Sequence, residues 1–301
     1  MTPDISIIIP SKNEGEMLDY TITNAINNSA DHNFEIIVID DGSTDGSGFS
    51  CKAKFSNEKR VSVIRTAGLG EPHARLLGAD LARGSIMIQI DSHTYCSPGW
   101  ISPLIEPFQE PDVAITQSAI KSLGKNEAQD GAVGMNIADY SMQGKWLPLD
   151  SKKDPHEIPI AAFGSHAISR HVYNTIGGYD PGMLGAWGGS QEEISIRAWR
   201  MGYRVIGVPE SVVFHQYRNK ENPTPYEMPW NTHNHNFLRV ALLHFGYEVF
   251  VKVMDHYKNT PGFAESVALL LQSDVLTRKE ELEDSRVKDG SWYIEKFGCA
   301  I

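Results

Sequence analysis

The run Ile86-Met87-Ile88-Gln89-Ile90 leads directly into Asp91-Ser92-His93. An apolar run of this kind predicts a buried strand, so a carboxylate and an imidazole stand at its exit. Residues i and i+2 of an extended chain point the same way, which lets Asp91 and His93 reach one cation while Ser92 turns aside. A hard divalent ion with mixed oxygen and nitrogen ligands, Mn²⁺ or Mg²⁺, suits that pair. An Asp-x-His triplet in a loop is usually a plain turn. This one sits at a strand's carboxyl end, where open α/β sheets bind ligands.

Outward from this point, strands and helices alternate. Ile5 to Ile9, Phe34 to Ile39, Val61 to Ile64 and Ser85 to Ile90 read as strands. Helices are predicted from Gly15 or Glu16 to Asn28, with Leu18, Ile22 and Ala25 as the apolar stripe, and from His73 to Ala82. Such alternation predicts an α/β fold with a mostly parallel sheet. Further strands are expected at Val113–Gln117, Phe163–Ser169, Arg204–Val208 and Val212–His215, and helices near His171–Ile176, at Glu192–Met201, from Asn236 onward and at Ala264–Glu283. The polar stretch Ser122–Pro159 reads as a loop over an acceptor. One domain is expected over residues 1–245, with a nucleotide-binding half (1–95) and an acceptor-binding half (96–245), followed by a helical extension over 246–301.

With 301 residues, 41% hydrophobic and 22% charged, the chain has ordinary globular usage and can bury a real core. A net charge of −11 gives no bulk attraction to a nucleic acid backbone. A nucleotide would need a metal bridge or a local basic group. Cys51, Cys96 and Cys299 are odd in number and lack zinc spacing, which predicts free thiols in a reducing compartment. No signal peptide and no membrane span fit, so a cytoplasmic location is expected.

Four segments then fall into order: Pro10-Ser11-Lys12-Asn13-Glu14, Asp40-Asp41-Gly42-Ser43-Thr44-Asp45, Asp91-Ser92-His93, and Trp187-Gly188-Gly189 leading into Glu193-Ile194-Ser195-Ile196-Arg197. Together they resemble the A-type nucleotide-sugar glycosyltransferases. With His215-Gln216-Tyr217-Arg218 they resemble most the polypeptide N-acetylgalactosaminyltransferase branch, over roughly residues 5–245. About fifty residues follow, too few for a C-terminal lectin-like domain.

The resemblance implies a Rossmann-like GT-A fold, a UDP-sugar donor, a hydroxyl acceptor and a Mn²⁺ or Mg²⁺ cofactor. It implies that Asp91, His93 and His215 hold the metal, bridging the donor phosphates. Pro10, Ser11, Asn13 and Glu14 would wall the nucleobase. Asp41 would accept the uracil N3–H, which cytosine lacks; Asp45 reads as a turn former. Arg75 would orient Asp91 or the phosphates, and Arg218 would pair with the diphosphate. Trp187, beside two glycines that permit close backbone approach, would cover the sugar or diphosphate.

The catalytic turn departs from the pattern. Inverting relatives carry Glu-Asp after the Gly-Gly turn, and the N-acetylgalactosaminyltransferases carry Glu-Asn. Here Ser190-Gln191 stand there. Gln191 cannot take a proton near neutral pH, which favours a retaining, front-face route. A one-residue shift would let Glu192 or Glu193 act as base, and both also suit a helix N-terminus. Two other readings stay open: a catalytically inactive sugar-nucleotide or glycan-binding module, and a nucleotidyltransferase, against which the missing Gly-rich phosphate loop counts. The acceptor could be a peptide Ser or Thr, a glycan, a lipid-linked sugar or a modified nucleobase in DNA. The last would draw on the lysines between Lys121 and Lys153, against the acidic net charge. His233 and His235 are assigned no role.

Overall fold

The computed structural model describes residues 2–123, 131–149 and 153–301. Strand β1 (Ile5–Ser11) is followed by α1 (Met17–Asn28), β2 (Phe34–Asp40), α2 (Ser47–Lys54), β3 (Val61–Arg65), α3 (Glu71–Leu81) and β4 (Ile86–Ile90). Then come β5 (Thr94–Cys96), α4 (Ile101–Ile105), β6 (Val113–Ser122), β7 (Ala132–Ile137), β8 (Gly144–Pro148), β9 (His156–Glu157), β10 (Ser165–Ser169) and α5 (Arg170–Thr175). The chain continues through α6 (Ser190–Arg200), β11 (Arg204–His215), α7 (Trp230–His244), α8 (Tyr247–Tyr257), α9 (Phe263–Gln272), α10 (Val275–Ser285) and α11 (Gly290–Phe297).

The strands form one mixed sheet in the order β3-β2-β1-β4-β10-β6-β11-β5, with β7 and β8 continuing from β6 and β9 on β11. The first four are parallel. Every residue of β1 and β2 is buried, as expected of strands covered by helices on both faces. Helix α3 lies so close to β1 that a Cβ on Gly78 would come 2.3 Å from Ile8 Cγ2. Strand β10 is antiparallel to both β4 and β6. This splice joins the parallel half to the β6–β11 half and leaves the ends of β4 and β11 to be brought together by β5. The short β5 follows His93 directly and pairs antiparallel with β11, setting His215 opposite Thr94.

Several expectations are corrected. Residues 122–159 are not one loop. Among the described residues they hold β7, β8 and β9, while 124–130 and 150–152, with part of the lysine-bearing stretch, lie outside the description. The strand signal there is short and broken by Gly134 and Gly144, so alternation is hard to read. The two short strands at 204–208 and 212–215 are one strand, β11, with a bulge between Val208 and Val212. The single helix expected at 264–283 is two, broken at Ser273-Asp274, and α7 starts at Trp230 rather than Asn236. Helix α2 was hidden among turn formers. Asp45 Oδ1 accepts from the Ser47 N–H (2.9 Å) and hydroxyl (2.6 Å), so the turn doubles as a helix start.

The C-terminal helices pack back on the sheet domain. Tyr293 donates its hydroxyl to the Pro159 carbonyl (3.2 Å), and Asn136 of β7 donates to the Phe297 carbonyl (2.8 Å). Tyr257 of α8 donates to the Ser141 carbonyl in the β7–β8 turn (2.7 Å). Among the described residues no helix is long and apolar enough to cross a membrane.

Replacing Gly78 tests the α3–β1 packing. Gly78→Val is expected to lower unfolding stability by about 1–3 kcal/mol through overpacking, seen as a lower urea midpoint with an unchanged slope. An unchanged midpoint would contradict the close approach.

Candidate active site

Asp91 and His93 do lie at the exit of β4, but the pleat does not align them. The segment is a turn closed by Thr94 N–H donating to the Asp91 carbonyl (3.1 Å). Ser92 is fixed beneath, its carbonyl accepting from the buried Thr21 hydroxyl (2.9 Å). The β5–β11 pairing, with Gln216 N–H on the His93 carbonyl (3.1 Å), then delivers His215. The His93 and His215 rings meet edge to face at 4.7 Å, and His215 Nε2 stands 3.1 Å from Asp91 Oδ2. One donor atom from each of Asp91, His93 and His215 lies within 4.8 Å of the other two.

This set fits a divalent ion. Adjacent ligands around an ion with bonds of about 2.1 Å stand roughly 3 Å apart, close to the Asp91–His215 spacing. His215 Nδ1 is buried without a hydrogen-bond partner. The other Asp91 oxygen is taken by Arg75, which is buried, pairs also with Glu71, and lies 4.3 Å from the centre of the Phe163 ring. Burial raises the Asp91 carboxyl, but Arg75 foremost, then His215 and His93, outweigh it and hold it well below the usual carboxylate range. Burial pushes His215 down despite Asp91, favouring the neutral imidazole that ligates metals.

Two cavities flank this cluster, of about 270 Å³ and about 420 Å³. Glu71, Arg75, Asp91, His93 and Tyr226 line both, so the cluster is the waist of one cleft. The smaller lobe lies at the carboxyl ends of β1, β2 and β4, where such sheets bind ligands. Pro10, Ser11, Lys12, Glu14 and Asp41 line it. Ser11 offers a buried hydroxyl with no protein partner. Asp41 is buried and organises the loop after β3. Its oxygens accept from the Thr66 hydroxyl (2.7 Å), Leu69 N–H (2.5 Å) and Gly70 N–H (2.9 Å), with Lys12 Nζ at 3.8 Å. Gly70 is required there, because a Cβ would fall 2.1 Å from the Gly185 carbonyl oxygen on the far side. The neighbouring Asp40 points away and pairs with Arg65.

The larger lobe is walled by Trp146, Phe163, Trp187, Gln191, Tyr217 and Arg218, among others. Helix α7 holds the Trp187 turn. Asn236 accepts from Leu184 N–H (2.9 Å) and donates to the Leu184 (2.8 Å) and Gly188 (2.9 Å) carbonyls. Trp187, 40% exposed, stacks on His233 at 5.8 Å. Gln191 Oε1 accepts from Phe163 N–H (3.0 Å), so its amide is fixed on the cavity wall.

Other expected residues lie elsewhere. Asn13 lines neither lobe. It adopts φ 56° and ties two loops, accepting from Thr44 N–H (2.7 Å) and donating to the Pro225 carbonyl (3.2 Å). Glu14 touches the smaller lobe, but its carboxylate pairs with Arg218 and faces His93 (3.3 Å). Glu192 and Glu193 are buried and line neither lobe. Glu192 accepts from Gly144 N–H (3.0 Å), and burial pushes its carboxyl up. Glu193 is clamped by Arg197 (2.6 Å) and His244 (3.1 Å). Burial raises Glu193, but Arg197 and His244 outweigh it and hold it well below the carboxylate range. His235 is buried beside Asn236 (3.0 Å), away from the cleft. Trp146 and Tyr226 are not singled out by the sequence, and Tyr217 enters only within the segment His215-Gln216-Tyr217-Arg218. Their signal is faint: Trp146 stands between Lys145 and Leu147 on a short strand, Tyr217 lies just beyond the His215 strand, and Tyr226 stands between Pro225 and Glu227.

With this geometry in view, likeness to known proteins is informative. The family model of glycosyl transferase family 2 matches residues 6–177. The chain belongs to glycosyltransferase family 2. It is 29% identical over 98% of its length to human polypeptide N-acetylgalactosaminyltransferase 10, of which the match covers 49%. It is 30% identical over 72% of its length to polypeptide N-acetylgalactosaminyltransferase 8 of Drosophila melanogaster, covering 38% of that protein. The family 2 chain thus spans about half, or less, of these relatives. The crystal structure of GalNAc-T7 with UDP, GalNAc and Mn²⁺ superposes with a TM-score of 0.81 at 25% identity, covering 99% of this chain and 57% of that one. The mannosyltransferase PcManGT from Pyrobaculum calidifontis, in complex with GDP-Man and Mn²⁺, gives 0.52 at 14% identity, over 100% of this chain and 76% of that one, a likeness of fold alone. The fold is GT-A, α/β, as expected.

The placement of Glu193 predicts a structural role. Glu193→Ala strips a fully buried ion pair of one partner and is expected to destabilise by about 3–5 kcal/mol, measured by denaturant unfolding. Burial, outweighing Glu193, pushes His244 down to about 4 from 6.5. The unfolded histidine therefore takes up a proton that the folded one refuses, and stability falls as pH drops from about 6.5 towards 4. His244→Gln should flatten that slope; an unchanged slope would contradict it.

Proposed function

We propose that this chain is a metal-dependent glycosyltransferase that moves N-acetylgalactosamine from UDP to a Ser or Thr hydroxyl of a peptide. The observation that carries the reading is the Asp91, His93 and His215 cluster at the waist of a two-lobed cleft. The names of the similar proteins support the sugar and the acceptor, and the ligands in the GalNAc-T7 structure support UDP and Mn²⁺.

In this reading the smaller lobe takes the nucleoside and the larger one the sugar and acceptor. Asp41 has accepting capacity beyond its three hydrogen bonds and takes the uracil N3–H. Asp91, His93 and His215 hold Mn²⁺. A bound divalent ion neutralises the departing diphosphate. Arg218, at the border of the larger lobe, donates to the phosphates. Arg75 keeps Asp91 ionised and oriented. Trp187 and Trp146 flank the sugar and acceptor.

The pairing of the carboxylates supports retention. Among the described residues, those lining the larger lobe are Glu71 and Asp91, and both pair with Arg75. Neither is free to act as base on the acceptor hydroxyl, and Gln191 cannot. The donor's own phosphate is then the base on the same face as the leaving group. The three cysteines are free and buried.

Calorimetry with UDP, GDP and CDP, each with Mn²⁺ and with EDTA, tests the donor half. UDP should bind with Mn²⁺ and lose that binding in EDTA. Asp91→Asn should lower transfer by at least about tenfold, and Asp41→Asn should narrow the preference for UDP over CDP. Incubation with UDP-GalNAc and a Ser/Thr peptide should give an α-linked product by NMR. Binding without turnover of any donor would favour the inactive module instead, and no metal-dependent binding would overturn the reading.

A further inference from the structure

Glu14 stands out from the other residues at the exit of β1. Its side chain is 3% exposed, yet it contributes little wall to the nucleoside lobe. One oxygen pairs with Arg218 across 204 residues of sequence. The other is buried, has no well-formed hydrogen bond, and faces the His93 ring with Nδ1 at 3.3 Å. Arg218 and His93 Nδ1 are themselves only 3.4 Å apart. The Arg218 guanidinium and the Nδ1 edge of the His93 ring therefore converge on one carboxylate.

We propose that Glu14 is a positioning residue that holds the metal-facing imidazole of His93 and the phosphate-facing guanidinium of Arg218 in one arrangement. The inference builds on the metal-dependent reading given above and adds a residue that touches neither metal nor sugar. In the tautomer with the proton on Nδ1, a carboxylate facing that nitrogen holds the ring orientation, leaves Nε2 as the lone-pair nitrogen for an ion and raises its basicity. Loss of such an outer partner commonly weakens metal binding by about 10–100-fold. The same carboxylate keeps Arg218 beside the metal cluster before any nucleotide arrives. Arg218 also donates to Asn222 (3.0 Å), in the same loop between β11 and α7. Metal and diphosphate subsites are thus joined through one buried acid in the segment between β1 and α1.

The test is titration of the nucleotide-free protein with Mn²⁺, following free Mn²⁺ by electron paramagnetic resonance. Wild type, Glu14→Gln, Glu14→Asp and Arg218→Ala are compared, with thermal unfolding as the control for folding. Glu14→Gln should raise the Mn²⁺ Kd by about 10–100-fold at an unchanged unfolding midpoint. Glu14→Asp, which keeps the charge, should recover part of the affinity and carries the test if the glutamine variant does not fold. Arg218→Ala, which removes a nearby cation, should bind Mn²⁺ at least as tightly as wild type. Wild-type affinity in Glu14→Gln would overturn the positioning role while leaving the metal site standing. An equal loss in Arg218→Ala would also overturn it, by assigning the effect to loop packing. No Mn²⁺ binding to wild type would overturn the metal reading itself, and this inference with it.

Discussion

The Arg75–Asp91 pair is the constraint on which the cleft depends. Arg75 is buried between Glu71, Gln89 and Asp91, against the face of Phe163. A guanidinium in that place cannot lose its proton, so it must be matched by carboxylates. Two are supplied, one from its own helix and one from the end of β4. The match fixes one Asp91 oxygen and leaves the other facing His215. It also locks α3 to β4, which sets the loop 66–70 and so the smaller lobe. Replacing any member would leave a buried charge uncompensated, which is why the site and the fold are hard to separate here.

A second constraint is that the cleft has walls from distant parts of the chain. The smaller lobe is made by β1, β2, β4 and the loop after β3, and is closed on its far side by Gly185, Ala186 and the segment from Tyr226 to Pro229. The other lobe needs the β7–β8 hairpin, the Trp187 turn and the loop after His215. Two of these are fastened by later helices: the hairpin turn by Tyr257 of α8, and the Trp187 turn by Asn236 of α7. Residues 246–301, read from the sequence as an extension, therefore help to buttress the larger lobe, through Tyr257.

The parallel half was legible because its strands are continuous apolar runs ended by polar clusters, and its helices carry clear apolar stripes. Asp91 and His93 were legible for the same reason, since the end of β4 could be placed to the residue. Their grouping with His215 came from resemblance, because β5 is three residues long and no periodicity announces the pairing that sets His215 opposite Thr94. Glu192 and Glu193 misled because acidic residues in a first helical turn look solvated. Helix α6 is instead buried on nearly every side, and a sequence does not reveal the Arg197 and His244 that receive Glu193. The turn formers from Gly42 to Gly46 masked α2, since capping a helix and closing a turn use the same residues.

The antiparallel splice by β10 also has a consequence for the order in which the molecule can be made. A chain emerging from its amino end has β1 to β4 by residue 90, and these pair among themselves. The strand that seals β4 on its other side arrives only with residue 165, and the helix that fastens the Trp187 turn only with residue 230. Until then the open edge of β4, with Asp91 at its end, presents unpaired backbone groups. A nascent chain of this design holds a half-built smaller lobe from residue 90 until residue 230 has been added, and only then can it become a two-sided cleft.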